Sequence, residues 1–235
     1  MLTILTVAAS LMLIATAGHA TNFKPPQGCR LEVTAQNRGC SVAQYFRCDA
    51  DPQGDQHSAV FTREGLTYQA HIDAETRWLN SRDPQSGIED QLIEDSADHA
   101  SFSTLIQSGR DDFDFLTESN TGERLRHVGF DELTGNTMTI DGVELEETRF
   151  DLRTYDENGQ ELIHRTGQQY ISRSMGRFYG GIEAQTDWTG ADITTNDTPV
   201  LFSFPGEDGF GETEPKFDCD ELLARIRRLQ QDQPA

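Results

Sequence analysis

Lysine and arginine are scarce: 19 residues against 40 Asp and Glu, for a net charge of −21 over 235 residues. A chain with this field lacks the basic side chains that supply most of the attraction to DNA, RNA or an anionic bilayer surface, and nucleic acid is set aside as a partner. Large apolar residues are also few. Beyond the first 20 residues, Leu, Ile, Val and Phe make up 44 of 215, close to the share at which high net charge begins to favour disorder. Catalytic signatures are missing as well. The sequence holds no Gly-x-Ser-x-Gly elbow, no His-Glu-x-x-His, no phosphate-binding glycine loop and no complete EF-hand. Its histidines at 57, 71, 99, 127 and 164 are dispersed and its cysteines lack CxxC spacing, so neither a catalytic residue, a metal site nor a cofactor is nominated. The loop 206 to 212 and the run Asp111-Asp112-Phe113-Asp114 offer oxygen atoms to Ca²⁺, with solvated acidic loops as the simpler account.

The first 20 residues carry no Lys, Arg, Asp or Glu, and 14 of them are apolar. The apolar run is shorter than the roughly 20 residues of a spanning helix, is interrupted by Thr and Ser, and ends in small residues before position 21. It reads as a secretory signal over residues 1 to 20, leaving 21 to 235 as one exported β domain that is not embedded in a membrane. Localisation is then periplasmic or secreted.

Four cysteines, at 29, 40, 48 and 219, fit an oxidising compartment. Segments 30 to 35 and 41 to 47 read as strands, and a two-residue Arg38-Gly39 turn places Cys29 opposite Cys48. Cys40 is then left for Cys219, whereas a slip of one residue in the turn would spoil the scheme.

The rest alternates in polarity between turn residues, the grammar of a meander. Candidate strands are 57 to 63, 66 to 73, 76 to 82, 88 to 94, 111 to 119, 123 to 131, 143 to 155 and 160 to 173. The last two meet at Asn158-Gly159, a dipeptide suited to the positive φ angles of a tight hairpin. Two segments read as helices. One is 97 to 108, with Ser96 as N-cap and Gly109 as stop; the other runs from Cys219 to about residue 231, with Leu222, Leu223, Ile226 and Leu229 as its apolar stripe. The expected fold is all-β with minor helices: a single antiparallel up-and-down sheet of about ten strands, curled into a β-barrel or half-barrel, with one short covering helix and a C-terminal helix. In general architecture this resembles lipocalin-like barrels and half-barrel lipoprotein carriers. The Gly-x-Trp that marks lipocalins is absent, and no family follows.

Pairing residue i with 317−i across Asn158-Gly159 sets Arg149 opposite Gln168, Arg153 opposite His164 and Glu147 opposite Tyr170, all on one face. That face is either a solvated exterior laced with ion pairs or a concave wall. In the second case Arg149, Arg153, His164 and Tyr170 hold an anionic or polar ligand. Phe113, Phe115, Val128 and Phe130 are grouped on one face of the neighbouring hairpin, and Trp78, Trp188 and Tyr179 are assigned to the interior. The leading function is a non-enzymatic exported binder or carrier of a small apolar or amphipathic ligand, or of an envelope partner. The alternatives are an exported hydrolase or isomerase without a short signature and a structural or interaction subunit; the sequence leaves oligomeric state open.

Overall fold

The structure, a computed structural model, describes residues 22–220. The N-terminal signal and nearly all of the C-terminal helix expected from the sequence lie outside the described residues. Ten strands follow one another, each antiparallel to the one before, with a short helix between the sixth and seventh: β1 (Cys29–Asn37), β2 (Ser41–Cys48), β3 (Gln56–Thr62), β4 (Gly65–Ile72), β5 (Trp78–Arg82), β6 (Glu89–Asp98), β7 (Arg110–Ser119), β8 (Arg124–Ile140), β9 (Val143–Tyr155) and β10 (Glu161–Ser172). Four shorter ones complete the sheet: β11 (Arg177–Tyr179), β12 (Ile182–Asp187), β13 (Asp192–Asn196) and β14 (Pro199–Ser203). One 14-stranded antiparallel sheet results, running from β13 through β12 and β10 back to β1 and ending on β14, with β11 paired to β10. The sheet is therefore a meander, as expected, with fourteen strands rather than about ten.

β13 and β14 are the two ends of this sheet, yet only residues 197 and 198 separate them in sequence. The sheet must curl until its edges approach, giving an open half-barrel with a seam. At the seam Val33 and Ala35 of β1, Val143 and Leu145 of β9, Tyr179 of β11 and Phe202 of β14 share a buried cluster. The tip of the long β8–β9 hairpin reaches across, where Asp141 Oδ2 accepts the Phe202 amide hydrogen at 2.9 Å. A bulge between Leu133 and Thr137 lets one hairpin serve both sides. On β9 the buried residues are 143 and 145 at the tip, then 148, 150 and 154 beyond it, a switch of face.

Cys29 is bonded to Cys48 and Cys40 to Cys219, the pairing expected, but by a different local route. The β1–β2 turn spans Arg38, Gly39 and Cys40, one residue longer than the two-residue turn expected, with φ of 70° at Gly39 and 60° at Cys40. A bulge between Leu31 and Val33 takes the extra residue back and restores Cys29 opposite Cys48. The β9–β10 hairpin does the same. Its loop covers residues 156 to 160, and a bulge between Glu161 and Ile163 returns the strands to the expected register from His164↔Arg153 to Tyr170↔Glu147.

Both faces of β1 and β2 are buried. The segment from 210 to 219 covers the face away from the seam cluster, and buried polar side chains hold it there. The Thr34 hydroxyl donates to Gln44 Oε1 at 2.7 Å and accepts from the Gly211 amide at 2.8 Å. The Gln36 amide donates to the Glu214 carbonyl and accepts from the Lys216 amide, both at 3.0 Å. The Thr34, Gln36 and Gln44 side chains buried there thus find partners, which is the condition for burying them at modest cost.

Helix α1 (Phe102–Ser108) is shorter than expected. Ser101 caps it, accepting from the Thr104 amide, and Gly109 closes it at φ 83°. Ser96, the expected cap, sits in β6 and accepts the Leu116 amide hydrogen instead. Phe102 and Leu105 bury against Ile171, with Leu133 and Phe178 beside them.

Candidate functional site

Curling gives the sheet a concave face, and its lining follows from strand alternation. In β7 the inward residues are Phe113, Phe115 and Thr117, whose partners across β7–β8 are Gly129, His127 and Leu125. Val128 and Phe130 fall on the other face. This corrects the grouping expected from the sequence, because residues i and 242−i pair, so odd positions face odd positions. Phe130 lies beneath the Arg110 guanidinium at 3.7 Å. Gly129 is required where it stands, since a Cβ there would lie 2.0 Å from the Asp151 carbonyl oxygen.

A half-open cavity of about 270 Å³ occupies the concave side. Its apolar wall includes Ile72, Trp78, Leu92, Phe113, Phe115 and Phe178, and Arg77, His99, Asp131, Gln169 and Arg177 bring polar groups to it. A second cavity, of about 420 Å³, shares Tyr68, Trp78 and Leu92 with the first and is lined by His127, Arg165 and Glu183 among others. His127 is buried between the Thr117 and Thr154 hydroxyls, at 3.0 and 3.2 Å, and stacked on Phe115. Burial pushes its pKa down to about 4, so it is neutral at physiological pH.

Asp131, on the cavity wall, stands directly opposite Asp111 across β7–β8. Burial, reinforced by the Asp111 charge, raises Asp131 to about 7. Asp111 is raised to about 6, again chiefly by burial, although the Ser101 amide donates to it at 2.8 Å and opposes the shift. His99 presents a buried Nδ1 without a hydrogen-bond partner, while its Nε2 donates to the Glu94 carbonyl at 3.0 Å.

Arg177 reaches the same cavity from β11 and is 94% buried, being 6% exposed. Its guanidinium lies 3.6 Å over the Tyr45 ring, and Nη1 donates to Gln56 Oε1 at 3.1 Å. Burial lowers its pKa.

The residues singled out in the sequence sit elsewhere. Arg149, Arg153 and His164 share a face, as the register required, but it is the face opposite the cavity-lining Leu152, Thr154 and Ile163. There Arg149 pairs with Glu132 at 2.7 Å, Arg153 with Glu161 at 2.8 Å, and His164 with Asp151 at 3.1 Å. Tyr170, further along that face, packs against the seam cluster. Of the residues assigned to the interior, Tyr179 is buried; Trp78 lines the cavity but is 37% exposed, and Trp188 is 68% exposed, so neither tryptophan is an interior residue. Alternation also separates the acidic run: Asp111 points inward, and Asp112 and Asp114 pair outward with Arg110 and Arg126. Among the described residues, Cys48, Asp51 and His57 are close enough to share a metal, but the Cys48 sulfur is held in its disulfide and the His57 imidazole is bonded to Asp51 at 2.7 Å.

Sequence reasoning missed Arg177 because its strand is three residues long and follows a tight turn, too short for any periodicity to register. The Asp111–Asp131 opposition was legible from the ends of the two expected strands. No protein-family model matches the chain, and comparisons with curated proteins and with solved structures return no match.

Proposed function

We propose that the protein is a non-enzymatic exported carrier that receives a small apolar or amphipathic ligand on the concave face of its half-barrel. One observation carries this reading: the concave side holds a half-open cavity walled mainly by aromatic and aliphatic side chains. Binding sites for small molecules share that composition, a mostly apolar wall with a few placed polar groups. The two disulfides mark a chain that matures in an oxidising compartment. Among the described residues no helix is long and apolar enough to cross a membrane. The outward faces of β7 to β10 carry ion pairs such as Arg126–Asp114 and Arg149–Glu132, which suits a protein working in water, in the periplasm or outside the cell.

The opposed Asp111 and Asp131 carboxyls favour one second reading, an exported hydrolase or isomerase, since paired acids with raised pKa values are a common acid–base device. Weighing against it, Asp111 is engaged by the Ser101 amide at 2.8 Å and only Asp131 of the two lines the cavity. Native mass spectrometry of protein purified from an oxidising compartment separates the readings. A co-purified small molecule of defined mass supports carriage; a clean monomer that also fails to take up any added amphiphile contradicts it.

A further inference from the structure

Arg177 stands apart from every other arginine in the described chain. Each of the others, at 30, 38, 47, 63, 77, 82, 110, 124, 126, 149, 153, 165 and 173, makes an ion pair with a carboxylate. In a chain with 40 acidic residues, partners are abundant. The arginine buried most deeply nevertheless has none among the described residues, and its Nε makes no hydrogen bond. An unpaired buried cation is among the costliest groups a fold can carry.

The surroundings are built to hold the charge in place. The turn after β10 is closed by the Gly176 amide donating to the Ser172 carbonyl at 2.9 Å, and it sets Arg177 opposite Ser172 on the face of β11 that carries Tyr179. Gln56 is fixed in turn, its amide donating to the Gly176 carbonyl at 2.8 Å and to the Met175 carbonyl at 3.2 Å. That leaves Gln56 Oε1 to accept from Arg177 Nη1. Tyr45 supplies the face of its ring beneath the guanidinium, an interaction that strengthens when water is excluded. The fork is thus oriented but not neutralised.

We infer that Arg177 is the anchor for the anionic head of the ligand, and that the ligand is a monocarboxylate amphiphile whose apolar body lies along Trp78, Phe113 and Phe115. The inference rests on the carrier reading above and adds the ligand class and the residue that selects it. A planar guanidinium matches a carboxylate in shape and charge. One unpaired cation suits one negative charge, since Arg77 on the same wall is paired with Asp73, and the net charge of −21 disfavours a dianion. Ser58 and Gln169 line the cavity and offer further donors.

Calorimetric titration with octanoate and with octanol, which differ in the head and match in the tail, tests the inference on wild type and on Arg177→Met. A charged hydrogen-bonded contact of this kind corresponds to about a 10- to 100-fold preference. Wild type is expected to bind octanoate more tightly than octanol by that factor. Arg177→Met is expected to bind both at the octanol level, with a Tm equal to or above that of wild type, because a purely structural arginine would lower Tm when replaced. Equal affinity of wild type for octanol and octanoate would overturn the anchor while leaving the carrier reading intact; failure of wild type to bind either removes both. The wild-type ratio decides even if the variant does not fold.

Discussion

Two inward-facing groups of opposite character set how stability depends on pH. Asp131 is protonated in the folded chain up to about pH 7, whereas its ordinary value is 3.8. Folding therefore takes up a proton between those values, and the stability from this group is complete below 3.8 and lost as pH rises through 7. His127 works in the other direction. Its folded value of about 4 lies below the ordinary 6.5, so its contribution is present above 6.5 and lost as pH falls towards 4. Asp111, raised to about 6, sides with Asp131, and the three together make stability decline gently from acid towards neutral pH. Asp131→Asn should raise stability at pH 8 by on the order of 1–3 kcal/mol, discounted for the half-open setting, and leave it little changed at pH 4. His127→Gln should do the reverse, removing the loss on acidification between pH 6.5 and 4. Urea unfolding at those pH values reads both; a pH slope unaltered in Asp131→Asn would show that the carboxyl is ionised throughout.

At the scale of elements, hairpins carry most of the information, and they show what the sequence made legible. Alternation located ten strands, and the expected pairing partners of Cys29, Arg153 and His164 are the observed ones. The turns were misjudged twice, by one residue at Arg38–Cys40 and more at 156 to 160. Each time a bulge restored the register. Bulges have no strong sequence mark, because the extra residue is left unpaired rather than chosen for its type. The missed elements, β11 to β14, are three to six residues long, and unlike the equally short β5 they stand among closely spaced turn residues such as Gly180-Gly181 and Gly190 that mask the alternation. Helix α1 began late because Ser96 was as good a cap by composition as Ser101, and the strand hydrogen bond to Leu116 claimed it. The strap over β1 and β2 yields a test. Gln36→Ala leaves the Glu214 carbonyl and Lys216 amide without their buried partner and should cost about 1–3 kcal/mol. Limited proteolysis should then cut between 205 and 216 faster than in wild type, and an unchanged cleavage rate would show that the cysteine bridge alone holds the strap.

For the molecule as a whole, a thin supply of large apolar residues is spread over one long curled sheet, and covalent links take part of the load. The Cys40–Cys219 bridge spans 179 positions and ties the strap to the β1–β2 turn; Cys29–Cys48 spans 19. Loop-closure entropy assigns them about 5 and about 3 kcal/mol. Replacing Cys40 and Cys219 together by Ser should therefore lower stability more than replacing Cys29 and Cys48, a ranking readable from urea midpoints of the two variants. Part of the charge lies on the exterior of the sheet, in outward pairs such as Arg110–Asp112 and Arg124–Glu118. What the sequence hid was which polar residues face inward. Arg149 and Arg153 stood out because basic residues are rare, yet rarity does not specify a face of the sheet. Arg177 differs from them only in where the seam, formed by elements distant in sequence, places it.

Trp78 lies on the cavity wall, and Trp188 is exposed; these are the two tryptophans of the chain. Trp188→Phe leaves one indole, reporting from the proposed site. Titrating that variant with a medium-chain amphiphile and following its emission tests carriage most directly. A saturable blue shift with one-site stoichiometry is the predicted result, whereas emission that stays unchanged up to the solubility limit of both charged and neutral amphiphiles would contradict the account.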